Sequence, residues 1–127
     1  MRMLLLPLAI AAALPYLLTT IAKAGAFSLE DNRRTRDWAT GLDGWRKRAY
    51  WAQLNSFEGY PIFAASLIAA LATVPTSAAA AALAWGYVGS RLAYAACYLA
   101  DAASLRSLVW MAGLGCCAGL FGLAIVG

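Results

Sequence analysis

Four long apolar stretches leave this 127-residue chain few ways to fold. The first spans 3–22 ("MLLLPLAIAAALPYLLTTIA"), the second about 50–72, the third 77–100 and the fourth 108–126 ("LVWMAGLGCCAGLFGLAIV"). A helix rises about 1.5 Å per residue, so about 20 apolar residues cross a bilayer, and each stretch has that length. The runs are continuous and rich in Ala and Leu, without the alternation of barrel strands. The expected fold is therefore all-α, an integral membrane four-helix bundle forming one domain over 1–127. With flanking polar residues included, its helices are expected over about 3–22, 48–72, 77–100 and 106–126, with a polar loop over about 23–47. The first segment shares a basic start and an "AKA" with secretory signals, but its apolar body exceeds their usual 7–15 residues. It is read as a retained helix.

Composition narrows the chemistry. The chain is 63% hydrophobic and 13% charged, against about 45–50% and 25% in soluble domains. It has no histidine, so neither a His-based metal site nor a His general base is available. Cys97, Cys116 and Cys117 lie in apolar runs and form no C-x-x-C pair. They read as small packing residues; no metal is expected, and no disulfide framework. A net charge of +4, clustered in one loop, does not point to nucleic acid.

The cations are distributed unevenly. Lys23, Arg33, Arg34, Arg36, Arg46, Lys47 and Arg48 belong to the loop between the first two segments, and Arg106 lies between the third and fourth. Only Arg2 stands on the opposite side. The excess of Lys and Arg on cytoplasmic loops then predicts both termini outside the cytoplasm, in what reads as a bacterial inner membrane. Trp38, Trp45 and Trp51 suit an interfacial belt, and the basic loop suits contact with anionic lipid.

Against this background "AQLNSFEGYP" (52–61) is anomalous, because it puts Asn55 and Glu58 into a membrane helix. Counting from the cytoplasmic ends, Asn55 and Glu58 lie roughly 8 and 12 Å deep, and Arg91 about 14 Å. Arg48, Asn55, Glu58 and Ile62 follow one helical stripe. Tyr87, Arg91, Tyr94, Tyr98 and Asp101 follow another. A charge at mid-membrane costs about 2.5–3.5 kcal/mol, so these stripes should face protein or a wet cavity. Glu58 and Arg91 are expected to share a hydrogen-bond network, with Arg106 at its cytoplasmic mouth. Such a pair could serve as a lock on helix register. The number of polar groups favours a pocket for an anionic ligand instead. In the last segment, Gly115 and Gly119 form a G-x-x-x-G, and Ala118 and Gly122 repeat the spacing, which predicts close helix packing.

The residues "RAYWAQLNSFEGYPIFAASLIAA" (48–70) and "RLAYAACYLADAASLRSLVW" (91–110) resemble two signatures of one family. It comprises the membrane-associated proteins in eicosanoid and glutathione metabolism. The resemblance rests on Asn55, Glu58, Pro61 and Phe63, then on Arg91, Tyr94, Tyr98 and Arg106. It implies a homotrimer with sites between subunits and glutathione as co-substrate. It also implies an apolar electrophile or lipid hydroperoxide arriving from the bilayer. Asn55 and Glu58 would hold the peptide's backbone and amino group, and Arg91, Tyr94 and Tyr98 would line the site. Arg106 would stabilise the thiolate. Trp51 stands where relatives carry an arginine that grips a carboxylate, and Arg48, one turn earlier, could take its place. Gly59 replaces a larger residue. These two positions favour an alternative, a non-catalytic lipid- or partner-binding membrane protein. A small drug exporter fits less well, because its key acid would belong in the first helix, which is uncharged here over 3–22.

Overall fold

The computed structural model describes residues 2–127, with side chains from Leu4 onward. Helix α1 spans Arg2–Lys23; a 3-10 turn over Asp31–Arg34 leads into the short α2, Thr35–Thr40. Helix α3 spans Gly44–Thr73, α4 Ala78–Leu99 and α5 Ala103–Val126, and no strand occurs among the described residues. The long basic loop thus contains helical structure, and α3 begins at Gly44 rather than at Arg48. Gly44 has a φ of 55°, which glycine adopts without strain, and Asp43 before it is extended.

Helices α1, α3 and α5 are long and apolar enough to cross a membrane. Helix α4 is not among them. Its 22 residues give about 33 Å, which is sufficient length; what it lacks is apolarity, because Tyr87, Ser90, Arg91, Tyr94 and Tyr98 all lie in it. The helix that departs from the expected four apolar spans is therefore the one that carries the buried arginine.

Helices α3 and α4 pack together, and α1 and α5 each pack against both, with no contact between α1 and α5 among the described residues. The core includes Leu4, Ala11, Phe63, Leu67, Tyr87, Cys117 and Leu120. Phe63 of α3 stacks flat on Tyr87 of α4, with centroids 3.9 Å apart. The small hydroxyls in this core need no outside partner. Ser56 donates to the Ala52 carbonyl, Ser66 to Phe63 and Ser90 to Tyr87. Thr19 of α1 likewise donates to the Pro15 carbonyl. In lipid, where water cannot satisfy these groups, such bonds back to the helix itself suffice.

The basic loop does specific work at helix ends. Arg46 Nη1 donates to the carbonyls of Ala22 and Ala24, at 3.2 and 2.5 Å, and so closes the end of α1. Helix α4 ends in a left-handed turn at Asp101, with φ 60°. There the Ala102 N–H returns to the Cys97 carbonyl at 2.8 Å and the Asp101 N–H to Tyr98 at 3.1 Å, the pattern of a Schellman stop. The Leu99 carbonyl receives Arg48 Nε and Nη2, at 3.3 and 3.2 Å. Both arginines place positive charge where the helix dipole is negative. At the other end of α4, the Ser77 hydroxyl caps the first turn by accepting from the Ala80 N–H at 3.2 Å. Outside the membrane segments, the Ser28 N–H and hydroxyl donate to Asp31, holding its carboxyl below the usual carboxylate range.

The glycines of α5 divide differently from their spacing. A Cβ on Gly119 would meet the flexible tip of Leu83 at 2.9 Å, whereas Gly115 and Gly122 face nothing within 4 Å. The closest approach is at Gly113, outside the G-x-x-x-G, where a Cβ would lie 2.6 Å from Ser90 Oγ. Gly113→Ala is therefore expected to destabilise the fold by about 1–3 kcal/mol through overpacking. Gly115→Ala should leave protomer stability unchanged or raise it by up to about 1 kcal/mol through helix propensity. Thermal unfolding in detergent, followed by circular dichroism, measures both.

Candidate functional site

Two clefts open between α3 and α5, with α4 behind them. The deeper has a volume of about 170 Å³; it is lined by Asn55, Glu58, Gly59 and Ile62 of α3, Tyr87 and Arg91 of α4, and Trp110, Gly113, Leu114 and Cys117 of α5. The outer, about 400 Å³, is lined by Asn55, Tyr94, Arg106, Ser107, Trp110 and Met111. Asn55 and Trp110 belong to both, so the clefts meet there. The outer one lies within the range of about 300–1,000 Å³ usual for small-molecule sites.

Arg91 is the centre of the arrangement. It is only 5% exposed, and its Nη2 donates to Asn55 Oδ1 at 2.7 Å. Its guanidinium lies 4.3 Å from the Tyr94 ring centroid. Tyr94 meets Tyr98 edge-on at 5.4 Å, and Arg106 covers Tyr98 at 4.2 Å. A ladder of Arg91, Tyr94, Tyr98 and Arg106 therefore runs from the deep cleft to the outer one. Each cation–π step contributes on the order of 1–2 kcal/mol where water is excluded. Arg91 Nε is buried without a partner, and no carboxylate lies within ion-pair distance of it among the described residues.

The expected network between Glu58 and Arg91 is not formed, and Asn55 takes the bond instead. Three residues along a helix turn the side chain by about 300°, so Glu58 points roughly 60° away from Asn55 around the α3 axis. Glu58 is exposed at the cleft wall. Among the predicted residues, Asn55, Glu58 and Arg91 share the deep cleft, and Tyr94 and Arg106 share the outer one with Asn55. Tyr98 supports Arg106 from beneath and also faces Trp51, with ring centroids 6.3 Å apart. Arg48 is separated from both clefts by its bonds to the Leu99 carbonyl.

Tyr87, Trp110, Gly113 and Cys117 were not anticipated as lining residues. Tyr87 had a signal, since it shares a stripe with Arg91. The α5 residues had none, because nothing polar marks which face of that helix turns inward. Gly59 also has a structural reason: a Cβ there would lie 3.1 Å from the Tyr87 hydroxyl, so the phenol of α4 fills the space a larger residue would take. The three cysteines are free, and no cluster of metal-ligating side chains occurs among the described residues.

The clefts thus bring the polar and charged side chains of Asn55, Glu58, Arg91 and Arg106 together between long helices, two of them apolar enough to cross a membrane. The family model of the MAPEG family matches residues 3–126. The chain belongs to this family and is an integral membrane protein. No curated protein and no solved structure matches it.

Proposed function

We propose that the protein is a glutathione transferase or peroxidase acting on hydrophobic electrophiles or lipid hydroperoxides. In this reading all four long helices cross the membrane, both termini lie outside the cytoplasm, and three copies assemble with sites at their contacts. The observation that carries it is Glu58, a carboxylate exposed at a cleft wall on a membrane-length helix. Left alone it would cost about 2.5–3.5 kcal/mol at mid-membrane, so it calls for a cationic partner. Arg91 calls equally for an anionic one. A zwitterionic peptide supplies both, with its ammonium toward Glu58 and a carboxylate toward Arg91. Its thiol would then lie in the outer cleft beside Arg106. A free thiol ionises near pKa 8.5, and an adjacent guanidinium in a dry site favours the thiolate. In transfer, the thiol proton first leaves to solvent, and the thiolate sulfur then bonds to the electrophilic carbon as that carbon's bond to its leaving group breaks, the leaving group departing with the bonding electron pair.

Glutathione titrated into the detergent-purified protein should produce saturable thiolate absorbance near neutral pH. Arg106→Ala is expected to return the bound thiol to near its ordinary pKa of about 8.5, while Arg106→Lys retains part of the signal. Absence of thiolate at millimolar glutathione would sink the reading. A second reading, a non-catalytic lipid-binding protein, is favoured by one observation: Arg48, the substitute for the arginine missing at Trp51, is already engaged by Leu99.

A further inference from the structure

A separate groove lies on the other side of α3, between α1, α2 and α3, with a volume of about 330 Å³. Its lining includes Lys23, Arg36, Trp38, Tyr50, Gln53 and Phe57, and no acidic residue. The seven cations of the basic loop have unequal roles. Arg46 and Arg48 close helix ends. Arg33 pairs with Glu30 at 3.7 Å, Arg34 lies in a surface cleft with Glu30 and Asp31, and Lys47 covers Trp51. Lys23 and Arg36 are the two that line a groove free of acidic residues, and neither has a carboxylate partner among the described residues. Lys23 is held in place, its Nζ 4.1 Å from the Phe27 ring centroid. Phe27 in turn meets Trp38 edge-on at 5.0 Å.

The groove is graded along the membrane axis. On α3, Tyr50, Gln53, Leu54 and Phe57 occupy one face at helical spacing, and the face turns from polar to apolar over about 10 Å. At its lower end Phe57 meets Tyr16 of α1 edge-on at 5.6 Å, and Tyr16, Leu54 and Phe57 are exposed. Cations at the top, a hydroxyl and an amide midway and an aromatic wall below match one amphiphile. Its phosphate would meet Lys23 and Arg36, its ester oxygens Tyr50 and Gln53, and one acyl chain would lie on Phe57 and Tyr16. We propose that this groove binds one anionic phospholipid through its phosphate headgroup. Basic pockets between helices at the cytoplasmic side recognise such headgroups.

The test is native mass spectrometry of the detergent-purified protein with added phosphatidylglycerol or phosphatidylcholine. One phosphatidylglycerol per chain should be retained, and phosphatidylcholine should not. Lys23→Gln with Arg36→Gln should weaken retention about thirtyfold, each charge contributing about fivefold. Arg33→Gln with Arg34→Gln removes the same charge from the same loop outside the groove, and should leave retention unchanged. Equal weakening by both pairs would mean diffuse attraction to the loop and overturn the site, as would equal retention of both lipids or of neither. Displacement of the lipid by millimolar inorganic phosphate would assign the groove to soluble anions. A change in oligomer mass without loss of lipid would assign it to a second copy of the chain.

Discussion

Asn55→Leu is expected to lower stability by about 3 kcal/mol, and adding Arg91→Met to the same chain should recover most of that loss. Arg91 is almost fully buried, and Asn55 Oδ1 is the acceptor for its guanidinium. A hydrogen bond to a charged group contributes about 1.5–3 kcal/mol, and breaking a buried polar pair by removing one partner costs more than removing both. In the single variant the guanidinium keeps only the face of Tyr94, with Nη2 joining Nε as an unpaired donor. In the double variant no charge remains to be satisfied. Thermal unfolding in detergent distinguishes the cases. If the double variant melts no higher than Asn55→Leu, Arg91 does not depend on Asn55, and the centre of the cleft has been misassigned.

What the sequence made legible and what it hid differ by kind of interaction. Continuous apolar runs announced the long helices, because the demand for satisfied backbone in lipid admits few other structures. The polar stripes of α3 and α4 announced that Asn55, Glu58 and Arg91 would meet one cleft, and they do. Which of the two α3 groups reached Arg91 was not legible. It depends on the rotation of α3 about its axis, and both Asn55 and Glu58 fit the same stripe. Arg48 fitted that stripe as well, but it lies one turn from the end of the membrane segment. Its long side chain reaches the unsatisfied Leu99 carbonyl instead. Helix ends create demands of this kind only once two helices are placed side by side. For the same reason the tightest glycine contact within α5 falls at Gly113, opposite Ser90, and not within the G-x-x-x-G.

The stacked pair beneath the deep cleft gives the other large effect. Phe63→Ala is expected to destabilise the protein by about 3 kcal/mol, toward the lower end for loss of a buried aromatic ring. Lipid is as apolar as the core, so little of that cost comes from transfer out of water. It comes from lost contact with Tyr87, whose ring lies parallel to Phe63 within 8°, and from the cavity left behind. Tyr87 also lines the cleft, its hydroxyl beside Gly59. Tyr87→Phe keeps the stack and removes only that hydroxyl, so the two variants separate support of the fold from contact with a ligand. Tyr87→Phe should melt within about 0.5 kcal/mol of the parent, as expected where no packing is lost. Phe63→Ala should lose both stability and any thiolate signal that the parent shows, because the wall carrying Tyr87 is no longer held. If Tyr87→Phe proves as unstable as Phe63→Ala, the hydroxyl is part of the core rather than of the cleft, and ligand contact by Tyr87 is ruled out.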